Sequence, residues 1–558
     1  MKKLHARLIF ALATILVAGF MLAACGGDGA VSDDPRAFQQ PPEGHWDQPF
    51  ENPVHISAAS SHGVHWTFLP GDDVSNNPWT RLYEERLNVV VDFEWTAADD
   101  YETRLNMAIA AGNLPDVFHI PTANILLFNQ LLDEGLLLDL TDAYNNYASQ
   151  RLRDFERMDP YTIQGFMRDG RIFGLPRYYY GQIDQPWHMW IRNDWYQNAG
   201  SPQINTVAEL EALARRFMDE EGAAYGFAVS SDLQWLFRTA PMFGAYIGNV
   251  MDNQYFWMPD ETGRLRPGIS FPEFMVALEN WQRWFAEGLI SADFATMTNA
   301  RVEEDIVNGV VGIQPWWQWW GWMNGPSITA MQGPDALFYP HNLPTLAGGP
   351  ARGQIFFPNL GVIVASADFQ NPAALMRVLS LIDHYRFSPD GNLTPEQLSM
   401  FMDDDREHSM TEAFSIIDPA ADMLQYIYVS RALETGDDSE LFTTGMQQKF
   451  TQSLAWINNR EPHGIGAYLQ MGAGDLSAYA RSQHLFDIGN TVQTALWGPV
   501  PPEFATAGAT GDLILEEVTQ IIMGNRPVSH FESVLEQWYA QGGQIKEDVV
   551  NELFGSGN

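Results

Sequence analysis

The densest concentration of potential binding chemistry in the chain is a run of indoles, Pro315-Trp316-Trp317-Gln318-Trp319-Trp320-Gly321-Trp322. Indole faces pack on the flat C–H faces of sugar rings, whose hydroxyls then need amides and carboxylates alongside. The same run can also fill a hydrophobic core, because buried aromatics are common. Carboxylates are plentiful, with 70 Asp and Glu against 31 Lys and Arg. A pair about 5 to 9.5 Å apart, as glycoside cleavage requires, can therefore be nominated from composition. Other chemistries are closed. No G-x-S-x-G nucleophile elbow occurs. The four lysines, Lys2, Lys3, Lys449 and Lys546, never follow a glycine, which excludes a G-x-x-x-x-G-K-[ST] phosphate loop and an ATPase built on it. His62 and His65 have the spacing of a metal pair but lack a third ligand or an H-E-x-x-H motif, and read as loop histidines.

The single cysteine, Cys25, stands at the end of a distinctive start. Lys2, Lys3 and Arg7 are cationic, Leu8 to Ala24 is apolar and uncharged, and Leu22-Ala23-Ala24-Cys25-Gly26-Gly27 surrounds the thiol with small residues. The apolar run is short for a membrane span, which needs about 20 residues, and its flanks are those of a cleaved leader. It resembles the bacterial lipobox, in which cleavage before the cysteine leaves Cys25 to carry a lipid. The alternative is an ordinary signal peptide followed by an unmodified thiol. Residues 1–24 are then a signal peptide, and 25–47, rich in Gly, Pro and Asp, a flexible tether. No cysteine remains for a disulfide, a Cys-based zinc site or a nucleophile. The formal net charge of −39 repels nucleic acid phosphates and acidic lipids.

The elements that must carry these residues read as α/β. Val89 to Trp95 alternates like a strand, Tyr101 to Ala111 places Leu105, Ala108 and Ile109 on one helical face before Gly112, and Asp116 to Ile120 is a second strand. Together they form a parallel βαβ unit. Thr206-Val207-Ala208-Glu209 is a capping box opening a helix that buries Leu210, Leu213, Ala214 and Phe217. Ser529-His530-Phe531-Glu532 repeats the device near the C-terminus. Tyr225 to Val229 and Val310 to Ile313 read as strands leading into loops. No Pro/Gly/Ser linker interrupts the chain after residue 50, so lobes joined by several crossings fit better than separate domains.

The order of local motifs resembles a family. Gly112-Asn113-Leu114-Pro115-Asp116-Val117-Phe118 is followed by Gly135-Leu136-Leu137-Leu138-Asp139-Leu140-Thr141 and Asp169-Gly170-Arg171-Ile172-Phe173-Gly174-Leu175-Pro176. Then come Ile191-Arg192-Asn193-Asp194-Trp195, Leu278 to Ile290, and Asn308-Gly309-Val310-Val311-Gly312-Ile313-Gln314-Pro315-Trp316. Behind a lipobox, this series is similar to the lipid-anchored extracellular solute-binding proteins that deliver sugars and oligosaccharides to ABC importers. The resemblance implies a two-lobed α/β fold of the periplasmic-binding-protein kind, with a ligand cleft between the lobes and a hinge crossed several times. It implies one lobe from 48–177 plus 338–395 and another from 178–337 plus 396–558, with crossings at Gly174 to Gly181 and Phe338 to Val364.

Trp316 maps to the indole that commonly stacks on sugar in that family. Tyr178 and Tyr180, at the first crossing, would face the cleft. Asp232 and Trp235 resemble a second-lobe ligand loop, Trp66, Thr122 and Asn124 fall on the equivalent first-lobe loops, and Trp497 is a C-terminal candidate. In one departure, Phe217 to Tyr225 lacks the alternating Asp and Asn of the calcium loop found in relatives that bind acidic oligosaccharides, which argues against calcium and against a uronic-acid ligand. The implied protein is a monomer without cofactor, metal or enzymatic activity. Its expected partners are a sugar, the permease subunits and, through the lipid, the outer face of the cell membrane. A secreted glycoside hydrolase and a carbohydrate-sensing lipoprotein are the alternatives.

Overall fold

Side chains alternate along the first strand of the chain. Val54, Ile56 and Ala58 enter one apolar core while Ala59 enters another, so the sheet is covered on both faces. The computed structural model describes residues 36–60, 68, 70–96, 100–121, 126–158, 160–178, 181–250, 254–356, 359–387, 402–403, 406–407, 414, 418–497, 500–508 and 511–555. Eight strands build its two largest sheets: β1 (Val54–Ser60), β2 (Val89–Thr96), β3 (Val117–Pro121), β4 (Leu175–Tyr178), β5 (His188–Arg192), β6 (Ile313–Trp316), β7 (Phe338–Asn342) and β8 (Asn359–Ala365). The larger sheet runs β2-β1-β3-β8-β4, with β1 parallel to β2 and β3, and β8 antiparallel to β3 and β4. The smaller runs β6-β5-β7, all antiparallel. The chain therefore passes from the first sheet to the second between Tyr178 and His188, and returns between Asn342 and Asn359.

The expected strand, helix and strand are present, the helix Tyr101–Ala111 ending on left-handed Gly112. Unforeseen is β1, which lies between β2 and β3 in the sheet. Asp116 ties that arrangement together: its carboxylate accepts from the Ser57 N–H at 2.8 Å and the Ser57 hydroxyl at 2.9 Å. The capping box at Thr206 forms in both directions, and the helix Val207–Glu220 buries its predicted face. In the motif Ile191 to Trp195, at the end of a strand of the smaller sheet, Arg192 grips Asp194 through two nitrogens at 2.7 and 2.8 Å and lies over the Trp195 ring at 4.3 Å. Gly312 is needed beside it, because a Cβ there would stand 2.6 Å from that indole.

Several expectations are corrected. Ser529 does not cap its helix; its own torsions are already helical, so the side chain is not placed to accept from the first turn. Tyr225 to Val229 is not a strand but an irregular segment held by two bonds to the Leu289 carbonyl, from the Gly226 and Phe227 N–H groups, one from Ala228 N–H to the Ile313 carbonyl, and one bridge, Phe227 to Ile290. The strand predicted at Val310 begins three residues later, at Ile313, and so contains Trp316 instead of preceding it. Residues 36–47, read as part of the 25–47 tether, are docked with Gln48 against the helix Pro372–Phe387. Arg377, fully buried, donates to the carbonyls of Pro42, His45, Trp46 and Gln48 at 2.7 to 3.2 Å. Asn371 accepts from the Gln39 N–H and donates to the Ala37 carbonyl. A segment poor in apolar side chains is thus held through its main chain. Phe414 packs in the same core and Asp418 pairs with Arg151, which also bonds Asp383, so these residues stay with the first sheet beyond the boundary at 395.

The C-terminal helices Gly511–Ile522, His530–Trp538 and Gln544–Phe554 share one core with Val207–Glu220 and Pro272–Ala286. Among the described residues, no helix is long and apolar enough to cross a membrane.

Candidate functional site

The register of the smaller sheet builds the site. Trp316 on β6 lies opposite His188 on β5, which brings the residues just beyond the paired ends, Trp187 and Trp317, together. Their rings stack with centroids 4.7 Å apart, and Trp317 stacks in turn on Trp319 at 5.7 Å and 21°. All three are half-buried, so the stack is a platform with a wetted side. Behind it the indoles are core. Trp320 stacks on Trp190 at 5.0 Å, and its Nε1 donates to Gln314 Oε1 at 2.5 Å. Strand alternation explains the division: Gln314, Trp316 and Trp190 share the face that packs under the helix Trp320–Gln332, whereas Met189, Ile191 and Ile313 point the other way.

Trp316 is only 8% exposed, and the face expected for a sugar is occupied. The Arg238 guanidinium lies 4.0 Å from its ring centroid and 4.4 Å from those of Trp187 and Trp317. Arg238 follows the short helix Gln234–Phe237 and is 3% exposed. Its Nη2 reaches Gln234 Oε1 at 3.3 Å, while Nε and Nη1 meet no acceptor. Burial pushes its pKa down to about 9 and the charge of Asp232 pulls it back up, so the group is cationic near neutrality. Asp232 itself makes no hydrogen bond to Arg238: its oxygens accept from Ser230 Oγ at 2.7 Å, Gln234 N–H at 3.1 Å and Asn299 Nδ2 at 2.7 Å. Those bonds fix the loop in which Leu233 holds left-handed backbone at φ 55°.

Further buried polar atoms on the same end of the sheet lack partners: the Nε1 atoms of Trp187 and Trp316, His188 Nδ1, and Asn342 Oδ1, whose residue sits opposite His188 on β7. Burial, assisted by Arg481, lowers the His188 pKa to about 3, so the ring is neutral. Buried polar atoms in folded proteins almost always have partners.

Of the residues singled out from sequence, Trp316 and Asp232 lie in this cluster, the first as the wall behind the guanidinium and the second as the brace of its loop. Trp235 is corrected: at 0% exposure, edge-on to Trp316 at 5.0 Å, it is core, because the helix Gln234–Phe237 turns it beneath β6. Trp497 lies apart, lining a cavity of about 850 Å3 between Asn129, Asp133 and Arg168 on one side and Thr494 and Glu503 on the other. Tyr178 ends β4. The Tyr178 side chain, together with Cys25, His62, His65, Trp66, Thr122, Asn124 and Tyr180, lies outside the described residues. Among those described, no three His, Cys, Asp or Glu side chains converge as metal ligands. Sequence reading missed Trp187 and Arg238. The second had a signal, a lone base inside the apolar run Leu233 to Gly244; the first had none, since only strand pairing brings it to Trp317.

The profile of the bacterial extracellular solute-binding protein family matches residues 73–374, more than half of the chain. Lipoprotein LipO of Bacillus subtilis (strain 168) is 22% identical over 256 residues, 44% of this chain and 47% of its own length. The polygalacturonan/rhamnogalacturonan-binding protein YtcQ of the same organism is 23% identical over 239 residues, 41% and 44% respectively. The chain thus spans less than half the length of the curated relatives it matches. Among solved structures, a human-milk-oligosaccharide (HMO)-binding, ABC-transporter-associated solute-binding protein of Bifidobacterium longum infantis superposes with a TM-score of 0.60 at 14% identity, covering 90% of this chain and 99% of that one. Alginate-binding protein AlgQ2 gives 0.57 at 16% identity, covering 92% and 100%. These likenesses fix the fold as the two-lobed α/β architecture. With a profile match over most of its first two-thirds, the chain belongs to the bacterial extracellular solute-binding proteins.

Proposed function

We propose that this protein captures an oligosaccharide between its lobes and passes it intact to an ABC import permease, while a lipid on Cys25 holds it at the outer face of the cell membrane. The observation that carries the reading is the half-buried stack of Trp187, Trp317 and Trp319 beside unpaired buried donors, which offers rings for sugar C–H faces and hydrogen bonds for their oxygens. The names of YtcQ and of the HMO-binding solute-binding protein support carbohydrate capture, and the name of LipO supports a lipoprotein. Capture without chemistry is tested by incubating the pure protein with plant and microbial oligosaccharides. Binding with the ligand recovered at its original length is expected, and release of shorter sugars would make it a hydrolase. The anchor is tested with Cys25→Ser, which should leave a folded protein in the soluble fraction; a variant that still sediments with membranes after a high-salt wash removes the lipid from the account. One acyl chain holds weakly, so the mature anchor should carry at least two.

A further inference from the structure

The guanidinium of Arg238 is a buried cation, and Asp232, the carboxylate whose charge acts on it, is spoken for. Asp232 directs both oxygens to its own loop and to Asn299, and the indoles of Trp187, Trp316 and Trp317 cover the cation without accepting a hydrogen bond. Indole rings stabilise a cation through their faces. They leave its in-plane N–H groups unsatisfied, and an unsatisfied charged donor in a buried site is costly. The unpaired atoms on Arg238 and the indoles that contact it are donors, Arg238 Nε and Nη1, Trp187 Nε1 and Trp316 Nε1, and the unpaired oxygen at that end of the sheet, Asn342 Oδ1, belongs to β7 and not to the guanidinium's cover. A sugar hydroxyl both donates and accepts, so it would bring an O–H that needs an acceptor among these donors. A carboxylate or sulfate only accepts.

We propose that the sugar captured here carries an oxyanion, a uronate carboxylate or a sulfate ester, and that Arg238 is the residue that pairs with it. This rests on the reading of the site as sugar-binding. It also reverses the inference from the missing calcium loop, since a fixed guanidinium supplies the positive charge without a metal. The chain's negative charge does not oppose this at contact distance. Salt screens charges more than about 8 Å apart at physiological ionic strength, whereas a buried pair is screened far less.

The test is calorimetric titration of the whole protein with oligomers of galacturonate, glucuronate and mannuronate-guluronate, each beside its carboxyl-reduced neutral counterpart, and with a sulfated galactan oligomer beside its desulfated form. The two acidic sets separate carboxylate from sulfate. The expected result is that at least one acidic oligomer binds at least about 30-fold more tightly than its neutral partner, that Arg238→Gln loses at least about 30-fold in that affinity, and that neutral binding changes little. Arg526→Gln, a surface arginine paired with Glu517, should bind as the parent does. Near-ultraviolet circular dichroism and the melting temperature of the unliganded Arg238→Gln protein confirm folding. Its stability should equal or exceed the parent's, because an unpaired buried charge has been removed. Equal affinity for acidic and neutral partners, binding of neutral glycans alone, or undiminished acidic binding by Arg238→Gln overturns the proposal while leaving sugar capture standing. Failure of every acidic and neutral glycan to bind removes sugar capture itself, and the proposal with it.

Discussion

Replacing Trp317 by alanine removes the middle ring of the platform, and its two consequences separate. The ring contacts Trp187 at 4.7 Å and Trp319 at 5.7 Å. Aromatic pairs contribute about 0.5–1.5 kcal/mol each beyond buried area, so the half-buried side chain should cost roughly 1–3 kcal/mol of stability. Its loss as a stacking partner should weaken oligosaccharide binding by about 1.5–3 kcal/mol, or roughly 10- to 150-fold. Trp320→Ala is the counterpart. Its ring is fully buried and hydrogen-bonded to Gln314, so truncation should cost about 3–5 kcal/mol of stability while the folded fraction keeps its affinity. Trp316→Ala should lose both, as an 8%-exposed ring that packs on Trp235 and backs the Arg238 guanidinium. Calorimetric affinity and scanning-calorimetric melting, measured on the same preparations, provide both readouts. Parent affinity in Trp317→Ala, together with lost affinity in folded Trp320→Ala, would refute the division into platform and core.

Two further outcomes follow from buried charge. Burial lifts the Asp383 carboxyl from 3.8 to about 7 against the pull of Arg151, so the folded protein holds a proton that the unfolded chain releases. Its contribution is complete below about pH 4 and is lost as the pH rises towards 7, at most roughly 4 kcal/mol; Asp184 and Asp422, raised by burial, shift the same way. Melting temperature should therefore fall between pH 4 and 7, and Asp383→Asn should flatten that fall; an unchanged slope would contradict the assignment. Arg377→Met should cost at least about 2 kcal/mol by stranding carbonyls of residues 42–48, and should expose that segment to limited proteolysis. An intact segment with normal melting would show that Arg377 does not hold it.

What the sequence made legible is what neighbours in the chain decide. The capping box at Thr206, the Gly112 stop and the strand Val89–Thr96 depend on residues within a few positions of one another, and all three form. β1 escaped notice because Val-His-Ile-Ser-Ala-Ala-Ser is buried on both faces and filled with small residues, leaving little polar alternation to see. The tether was read from composition, which registers missing apolar side chains but not a buried arginine more than 300 residues away in sequence. In the Trp run, local sequence showed that sugar chemistry was available but not which rings face outward. That choice is made by the pairing of β5 with β6, a contact between residues more than 120 positions apart, and by Arg238 arriving from a third segment to cover Trp316.

We expect ligand to be held between two lobes that close through the connections between Tyr178 and His188, between Asn342 and Asn359, and a third after Asp418. Binding favours a closed form only through contacts made from both sides at once. Small-angle scattering of the protein with and without a saturating oligosaccharide, binding being confirmed by calorimetry on the same sample, tests this most directly. A smaller radius of gyration in the bound state is the predicted result, and superimposable curves at saturation would contradict closure and leave a rigid carbohydrate-binding surface.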